Sequence, residues 1–415
     1  MPVIKPFRAI RPVKHLAEKV AALPYDVLDT EEAREIASGN PYSFLHVDKA
    51  EIDLEPGIDL YDRRVYEKAR DNLNKMISEG TLIQDEKDCF YIYRLTMGDH
   101  SQTGLVATVS VDDYLNNKVK RHEHTRLEKE LDRVRHVDYC NAHTGPIFLA
   151  YRARKEIDAI ITRWLEENPP LYDFIADDRI GHTVWLVDDK QVIKELIASF
   201  AELDSFYIAD GHHRCAAAAR VALQRREAKK NYSGSEEFNY FLAVIFPDAQ
   251  LKIMDYNRVV KDLNGLTPEE FLNKVAEKFV IEPCPCSNPF RPKRKNTFGM
   301  FLQDKWYKLT AKEEITAGLG PVESLDVSIL QDNILSPILG IKDPRTDKRI
   351  DFVGGIRGLE ELERRVKAGM AVAFAMFPTT IDEVMKIADA GEVMPPKSTW
   401  FEPKLRSGLF IHSLD

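Results

Sequence analysis

The chain has 415 residues and a net charge of −9, with 30% charged and 44% hydrophobic residues. This length allows a substantial buried core and favours two or more domains. The negative net charge argues against general binding to nucleic acid, whose phosphates are normally neutralised by lysine and arginine. No apolar run approaches the roughly 20 residues that span a bilayer, and the N-terminal residues lack the apolar stretch of a secretory signal. We therefore expect a cytoplasmic protein that binds neither nucleic acid nor membrane.

The first 250 residues alternate predicted helices with predicted strands. Thr30 is predicted to cap a helix that ends near Gly39, and residues 42–47 alternate like a strand. Apolar residues at helical spacing predict a helix over residues 60–79. Further strands are predicted at residues 90–97, 103–111, 147–151, 182–187 and 240–246, and further helices at 156–167 and 190–200. We therefore expect a mixed α/β domain over residues 1–250.

Residues 251–415 are expected to form a second, α+β lobe, with residues 394–411 returning to the site of the first. Thr267 and Pro268 are predicted to begin a helix, and residues 298–309 to form a hairpin. Lys397, Ser398 and Thr399 lie in a proline-stiffened loop that could hold a phosphate by charge and hydrogen bonds. A plain surface loop is the alternative interpretation.

The most informative stretch is residues 206–222, where an apolar strand ending at Ile208 is followed by an alanine-rich helix predicted to begin near Arg214. Between them lies a polar turn, residues 210–214, which we call the corner: Asp210, Gly211, His212, His213 and Arg214. Backbone N–H groups and the helix dipole converge at a helix N terminus, which favours an anion such as phosphate. The alternative is a solvated turn in which Asp210 caps the helix.

A second polar run contains Arg121, His122, Glu123, His124 and Thr125. It is either one side of a site or a solvated, charge-rich segment. Its histidines are not one helical turn apart, so it does not match a zinc-protease motif. Five cysteines with no paired Cys-x-x-Cys spacing predict free thiols rather than a disulfide framework or a structural zinc site; they are Cys89, Cys140, Cys215, Cys284 and Cys286.

Several motifs, in the same order along the chain, resemble the bacterial and archaeal family known as domain of unknown function 1015. They begin at Pro6 (PFRA), Pro24 (PYDV), Asn40 (NPYSFLHV), Arg121 (RHEHT), Gly145 (GPIF), Ala209 (ADGHHR) and Met394 (MPPKST). The corner is also similar to the phosphate-binding turn of the ParB/sulfiredoxin-like fold. That superfamily includes ParB, which uses CTP, sulfiredoxin, which uses ATP, and kinases that phosphorylate free L-serine.

This resemblance implies a ParB/sulfiredoxin-like nucleotide-binding catalytic domain with a nucleotide phosphate at the corner. Asp210, His212, His213 and Arg214 would hold or polarise phosphate oxygens bridged by Mg²⁺. The related serine kinases use a glutamate to orient the hydroxyl, and Glu123 is the first candidate for this base, with Asp26 the second. Cys215 lacks the sequence context of the sulfiredoxin catalytic cysteine, so a sulfinic-acid reductase is not expected.

The resulting hypothesis is a kinase that uses ATP or ADP with Mg²⁺ to phosphorylate a small molecule. The favoured substrate is free L-serine, and the product is then O-phospho-L-serine. Residues 121–125 would contact the substrate, and Lys397, Ser398 and Thr399 the nucleotide. A non-catalytic, ParB-like nucleotide-binding regulator is the main alternative, and a metal-dependent hydrolase the third. A homodimer is left open.

Overall fold

The computed structural model describes residues 1–229, 231–284 and 289–415. These residues form 13 α-helices, numbered along the chain: α1 (Ala17–Val20), α2 (Thr30–Ala37), α3 (Leu45–Asp48), α4 (Arg63–Ser78), α5 (Val111–Leu115), α6 (Leu127–Cys140), α7 (Lys155–Glu167), α8 (Lys190–Ala201), α9 (His212–Ala228), α10 (Pro268–Lys278), α11 (Asp326–Leu330), α12 (Glu360–Lys367) and α13 (Ile381–Asp389). None of the helices within these ranges is long and apolar enough to cross a bilayer.

The same residues form 21 strands: β1 (Ile4–Lys5), β2 (Ile10–Pro12), β3 (Leu82–Gln84), β4 (Phe90–Met97), β5 (His100–Ser110), β6 (Val119–Lys120), β7 (Ala142–His143), β8 (Ile147–Tyr151), β9 (Tyr172–Ile175), β10 (Gly181–Val187), β11 (Phe206–Asp210), β12 (Tyr240–Pro247), β13 (Lys252–Met254), β14 (Tyr256–Val260), β15 (Phe279–Pro283), β16 (Thr297–Leu302), β17 (Lys305–Ala311), β18 (Ile350–Gly354), β19 (Val372–Ala375), β20 (Trp400–Glu402) and β21 (His412–Ser413).

The chain divides into two compact units. The first contains Met1–Leu251 and Pro403–Asp415, and the second contains Lys252–Glu402. The expected boundary near residue 250 is close to the observed one, but the second unit ends at Glu402. Residues 403–411 therefore lie in the first unit, whereas residues 394–402 lie in the second.

The first unit is built on a nine-stranded mixed sheet with the order β6-β11-β8-β12-β5-β4-β10-β9, to which β1 adds by pairing with β5. The pairs β6–β11 and β8–β12 are parallel, and the remaining pairs are antiparallel. The continuously apolar run of β12 is buried from Phe241 to Phe246, as expected of a central strand covered on both faces. Helices α7, α8 and α9 contribute side chains to the main core of this unit. The mixed α/β class predicted from the sequence is confirmed.

Most predicted elements of the first unit are confirmed to within one or two residues at their ends, but two predictions near its N terminus are wrong. Residues 42–47 do not form a strand; they form a turn followed by α3, whose start is supported by a hydrogen bond from the Leu45 N–H to Ser43 Oγ (3.3 Å). The cap of α2 is Asp29 rather than Thr30, because Asp29 and Glu32 form a reciprocal capping box.

The second unit contains a six-stranded antiparallel sheet with the order β15-β17-β16-β19-β14-β18. Thr267 caps α10 with Pro268 in the first turn, as predicted, and Thr380 caps α13. The short α11 is followed by a π-helical turn, Gln331–Leu335. Cys89, Cys140 and Cys215 are buried free thiols, and Cys286 lies outside the described residues.

Candidate functional site

The corner lies where β11 passes into α9. β11 extends to Asp210, and α9 begins at His212, two residues before the predicted start near Arg214. The reason is Gly211, whose φ of 93° turns the chain directly into the helix in a conformation that glycine adopts without a steric penalty. His212, His213 and Arg214 therefore all lie in the first helical turn.

The N terminus of α9 has no side-chain cap. Its N-cap residue is Gly211, which has no side chain to accept a hydrogen bond from the helix. Asp210 does not take that role, because its Oδ1 accepts from the Gly211 N–H (2.9 Å) and not from the helix. The solvated, Asp210-capped turn considered from the sequence is therefore not what forms. The N–H groups of the first turn have no intrahelical acceptor, so they remain available to an anion.

The Asp210 carboxylate lies between two cations. Its Oδ2 is 3.3 Å from Lys404 Nζ and 3.8 Å from Arg214 Nη2. Burial raises the pKa of Asp210, but the positive charges of Lys404 and Arg214 outweigh it and lower the pKa to about 2. Two cations thus flank the Asp210 carboxylate. Lys404 was not predicted: it lies 194 residues beyond Asp210, and no motif distinguishes it.

The Arg214 guanidinium folds back over the Gly211 backbone. A Cβ at Gly211 would lie 3.0–3.1 Å from Nε, Cζ and Nη2 of Arg214. Arg214 Nη1 donates to the carbonyl oxygen of Pro146, at the start of β8. Arg214 Nε is buried and has no hydrogen-bond partner among the described atoms. Buried polar atoms are nearly always paired, so this N–H indicates a missing acceptor.

The corner residue His212 lies against a second buried histidine, His122. The rings of His122 and His212 meet edge to face, with centroids 4.5 Å apart and an angle of 84° between planes. Within the described part of the chain, His122 Nδ1 and His212 Nε2 are buried without partners. Burial lowers the pKa of His122 to about 4 and that of His212 well below its ordinary value. Both rings are therefore neutral at pH 7.

This burial predicts an acid-sensitive fold. Below pH 6.5 the unfolded chain binds a proton at His122 that the folded protein does not bind until the pH approaches about 4. The unfolding free energy should therefore decrease as pH falls from about 6.5 to about 4, by about 3 kcal/mol from this residue. Urea unfolding at several pH values should show a shallower dependence for His122→Phe than for wild type, whereas the exposed His15→Phe should leave the slope unchanged. An unchanged slope for His122→Phe would show that His122 is not the residue responsible.

Of the predicted run at residues 121–125, His122 and Glu123 meet the corner. Glu123 Oε2 is 3.7 Å from His212 Nδ1, and 47% of its side chain is exposed. Arg121 is exposed, with its Cζ 6.0 Å from the centroid of the Tyr114 ring. The Thr125 hydroxyl donates to Glu130 Oε2 (3.0 Å), and His124 is exposed.

His213 and Asp26 lie at the edge of the corner. His213 Nε2 accepts a hydrogen bond from the Arg126 N–H (3.1 Å), which ties the start of α9 to the segment that precedes α6. The exposed Asp26 is close enough that its negative charge acts to raise the pKa of both His213 and Arg214. Burial is the larger influence on the pKa of His213 and lowers it.

The loop predicted to hold phosphate belongs to the second unit. Lys397 has a φ of 60°, and its Nζ is 5.4 Å from the centroid of the Tyr256 ring. The Ser398 hydroxyl donates to the Pro395 carbonyl, and the Ser398 carbonyl accepts from Thr379 Oγ1 (2.9 Å). Thr399 is half-buried. The phosphate-binding role of Lys397, Ser398 and Thr399 therefore stays a prediction.

The fold and the corner define a mixed α/β protein with a strand-to-helix turn in which Arg214 and Lys404 flank Asp210. Residues 4–328 match the family described as protein of unknown function (DUF1015), and the chain belongs to this family. The family resemblance seen in the sequence motifs is confirmed. No curated protein matches the chain.

Three solved structures illustrate the structural likenesses. A free serine kinase in complex with AMP is 16% identical, with a TM-score of 0.37 over 73% of this chain and 92% of that one. A conserved hypothetical protein from Pyrococcus furiosus is 16% identical, with a TM-score of 0.35 over 74% and 94%. SbnI with a C-terminal truncation, from Staphylococcus aureus, is 11% identical, with a TM-score of 0.39 over 73% and 85%. Likenesses of this size establish neither a shared fold nor a shared activity.

Proposed function

We propose that the protein is a nucleotide- and Mg²⁺-dependent kinase that phosphorylates a small molecule, with free L-serine as substrate and O-phospho-L-serine as product. The observation that carries the proposal is the uncapped N terminus of α9, flanked by Arg214 and Lys404. An uncapped helix end and two cations make a site for a phosphate group. Arg214 Nε and His212 Nε2 supply two further buried polar atoms that have no hydrogen-bond partner among the described residues.

The choice of nucleotide and of L-serine comes from the sequence resemblance. In that part of the proposal the first unit is a ParB/sulfiredoxin-like catalytic domain and ATP or ADP is the phosphoryl donor. Gly211, His212, His213 and Arg214 bind its phosphates, and Lys404 joins them because of its contact with Asp210. The proposal places four residues in contact with the substrate: Arg121, His122, His124 and Thr125. It assigns nucleotide binding to Lys397, Ser398 and Thr399.

Mg²⁺ belongs to the same proposal. Among residues 1–229, 231–284 and 289–415, no group of three or more His, Cys, Asp or Glu side chains is placed to hold a metal ion. Mg²⁺ is commonly bound through one or two carboxylates together with substrate phosphates rather than in an all-protein cage. Asp210 fits that mode, because its carboxylate is ionised and lies at the helix end. Bound there, Mg²⁺ would neutralise charge on the phosphates.

The proposed reaction is an in-line transfer. The serine hydroxyl oxygen attacks the terminal phosphorus of the nucleotide, the bond from that phosphorus to the bridging oxygen breaks, and the hydroxyl proton passes to Glu123. Glu123 is favoured over Asp26 as the base because it reaches the buried histidine pair while remaining half-exposed to an incoming substrate. The arginine and the helix end would stabilise the charge that spreads over the transferring group.

The test is to incubate the purified protein with ATP or ADP, Mg²⁺ and L-serine and to measure O-phospho-L-serine. We expect Glu123→Gln to lower kcat by about 10²- to 10⁴-fold with the nucleotide Kd changed less than threefold, and Asp26→Asn to retain activity. The reverse result would make Asp26 the base. Nucleotide binding with no turnover on L-serine would favour the ParB-like regulator, and neither binding nor turnover would refute the proposal.

A further inference from the structure

A small cavity lies behind the corner, entirely within the first unit. The space open to water molecules inside it is about 30 Å³, whereas a single buried water needs about 10 to 15 Å³. The residues that line it include Asp48, Arg133, His143, Arg214 and Ser407. Val137, Ile147 and Leu242 also line it. A cavity of this size fits a small molecule and not a nucleotide base.

Gly145 forms one side of this cavity. A Cβ at Gly145 would lie 3.1 Å from Ser407 Oγ, 3.7 Å from Arg214 Nη1 and 3.8 Å from Asp48 Oδ2. A methyl group at this position would therefore lie within 4 Å of three polar atoms of the cavity wall. The Nη1 side of the Arg214 guanidinium faces this position, whereas its Nε side lies against Gly211.

His143 is held in the cavity wall by a chain of hydrogen bonds that reaches the surface. β7 and β21 pair so that His143 lies opposite His412, and the two Nδ1 atoms are 3.3 Å apart. His412 Nε2 is 2.9 Å from Glu237 Oε2, and the other oxygen of Glu237 is 2.6 Å from Lys5 Nζ. His143 and His412 are buried, whereas about a quarter of the Glu237 side chain is exposed.

This chain of hydrogen bonds decides which nitrogen of His143 carries the proton. A carboxylate only accepts hydrogen bonds, so His412 must donate to Glu237 through Nε2–H. A neutral His412 then has a lone pair at Nδ1 and accepts from the Nδ1–H of His143. A neutral His143 protonated at Nδ1 has its lone pair at Nε2.

Burial keeps both rings neutral, since it lowers the pKa of His143 well below its ordinary value and also lowers that of His412. His143 Nε2 is thus a hydrogen-bond acceptor, and it is buried without a partner among the described atoms. An unsatisfied acceptor in a cavity wall indicates a missing hydrogen-bond donor in the cavity.

The cavity offers a second acceptor as well as cations. Asp48 Oδ1 accepts from the Thr144 hydroxyl (2.8 Å), which leaves Oδ2 beside the point occupied by a Cβ at Gly145. Arg133 stacks on the Tyr25 ring, with its Cζ 3.9 Å from the ring centroid, and pairs with Asp132. Arg214 supplies the cation on the corner side.

We infer that this cavity binds the amino-acid substrate, with the substrate amine donating to His143 Nε2 and Asp48 Oδ2 and its carboxylate facing Arg133 and Arg214. This inference rests on the proposed function and adds the amino-acid subsite to it. His143 is a binding residue, and Glu237 and His412 are positioning residues that act by fixing its tautomer. Arg214 belongs to the corner and also lines the cavity. A substrate bound in this way would therefore have its hydroxyl group on the side of the cavity that faces the corner.

The test measures binding without nucleotide, so it succeeds or fails independently of the kinase reaction. Calorimetry on the full chain should show L-serine binding at least tenfold more tightly than ethanolamine, which lacks the carboxylate, or 3-hydroxypropanoate, which lacks the amine. Gly145→Ala should weaken L-serine binding at least tenfold by filling the cavity. Gly181→Ala is the matched control, because a Cβ there meets only Thr96 at ordinary contact distance, 3.4 Å and beyond.

The positioning role is tested by ¹⁵N NMR of histidine-labelled protein, with the His143 signals assigned by their loss in His143→Gln. Free protein should show His143 protonated at Nδ1, and L-serine should shift its Nε2 signal. Glu237→Gln should increase the Nε2–H form and weaken binding, whereas the exposed Glu227→Gln should change neither. An Nε2–H tautomer in wild type, no L-serine binding, or binding that leaves the Nε2 signal unmoved would each overturn the inference. Binding without phosphoserine formation would uphold it and refute the proposed reaction.

Discussion

Arg214→Lys is expected to lower kcat/KM for phosphoryl transfer by about 10²- to 10³-fold, the loss typical when one donor to a developing charge is removed. The guanidinium donates to the Pro146 carbonyl through Nη1, while its Nε lies over Gly211 with no partner among the atoms that the structure describes. A lysine has a single ammonium on a flexible stem and cannot place donors at both positions. The measurement is steady-state kinetics, accompanied by thermal unfolding to confirm that the variant is folded.

Arg220→Lys is the matched control for this prediction. Arg220 is also on α9, but it pairs with Glu130 (2.7 Å) and 40% of its side chain is exposed. We expect the kcat/KM of Arg220→Lys to stay within threefold of the wild-type value. If both variants lost activity equally, the effect would come from the helix and not from the corner.

Gly211→Ala is expected to lower nucleotide affinity at least tenfold as well as the stability of the fold. A φ of 93° is costly for any residue with a Cβ, by about 1 to 2 kcal/mol. The added methyl would also lie 3.0–3.1 Å from the Arg214 guanidinium and displace it from the helix end. Calorimetric titration with ADP and urea unfolding measure the two effects separately.

Gly80→Ala separates backbone strain from the displacement of Arg214. Gly80 has a φ of 75°, and a Cβ there would meet nothing within 4 Å. It should lose a similar amount of stability while its affinity for ADP is unchanged. Equal affinities for ADP in wild type and in Gly211→Ala would contradict the assignment of the corner as the phosphate site.

The helices and strands that were predicted correctly are those whose structure is determined by a short segment of the sequence. The apolar run of β12 and the alanine-rich α9 each show their structure within a single segment, and Thr267 with Pro268 marks the start of α10. The error at residues 42–47 has a local cause too. Six residues are too few for their apolar pattern to distinguish a strand from a single helical turn.

The parts of the site that were not predicted from the sequence depend on contacts between residues far apart in the chain. Lys404 meets Asp210 across 194 residues, and His412 meets His143 across 269. Neither Lys404 nor His412 lies in a motif, and only the return of the C-terminal segment to the first unit brings them there. The tautomer of His143 likewise follows from the pairing of β7 with β21 and could not be read from any single stretch.

We propose that a nucleotide phosphate binds at the N terminus of α9. The most direct measurement is a crystal structure with Mg²⁺ and a non-hydrolysable ATP analogue. We predict phosphate oxygens about 2.7 to 3.2 Å from backbone nitrogens of residues 212–214, with Arg214 and Lys404 in contact with the same phosphates. A nucleotide whose phosphates lie elsewhere, with the corner unchanged, would contradict the claim.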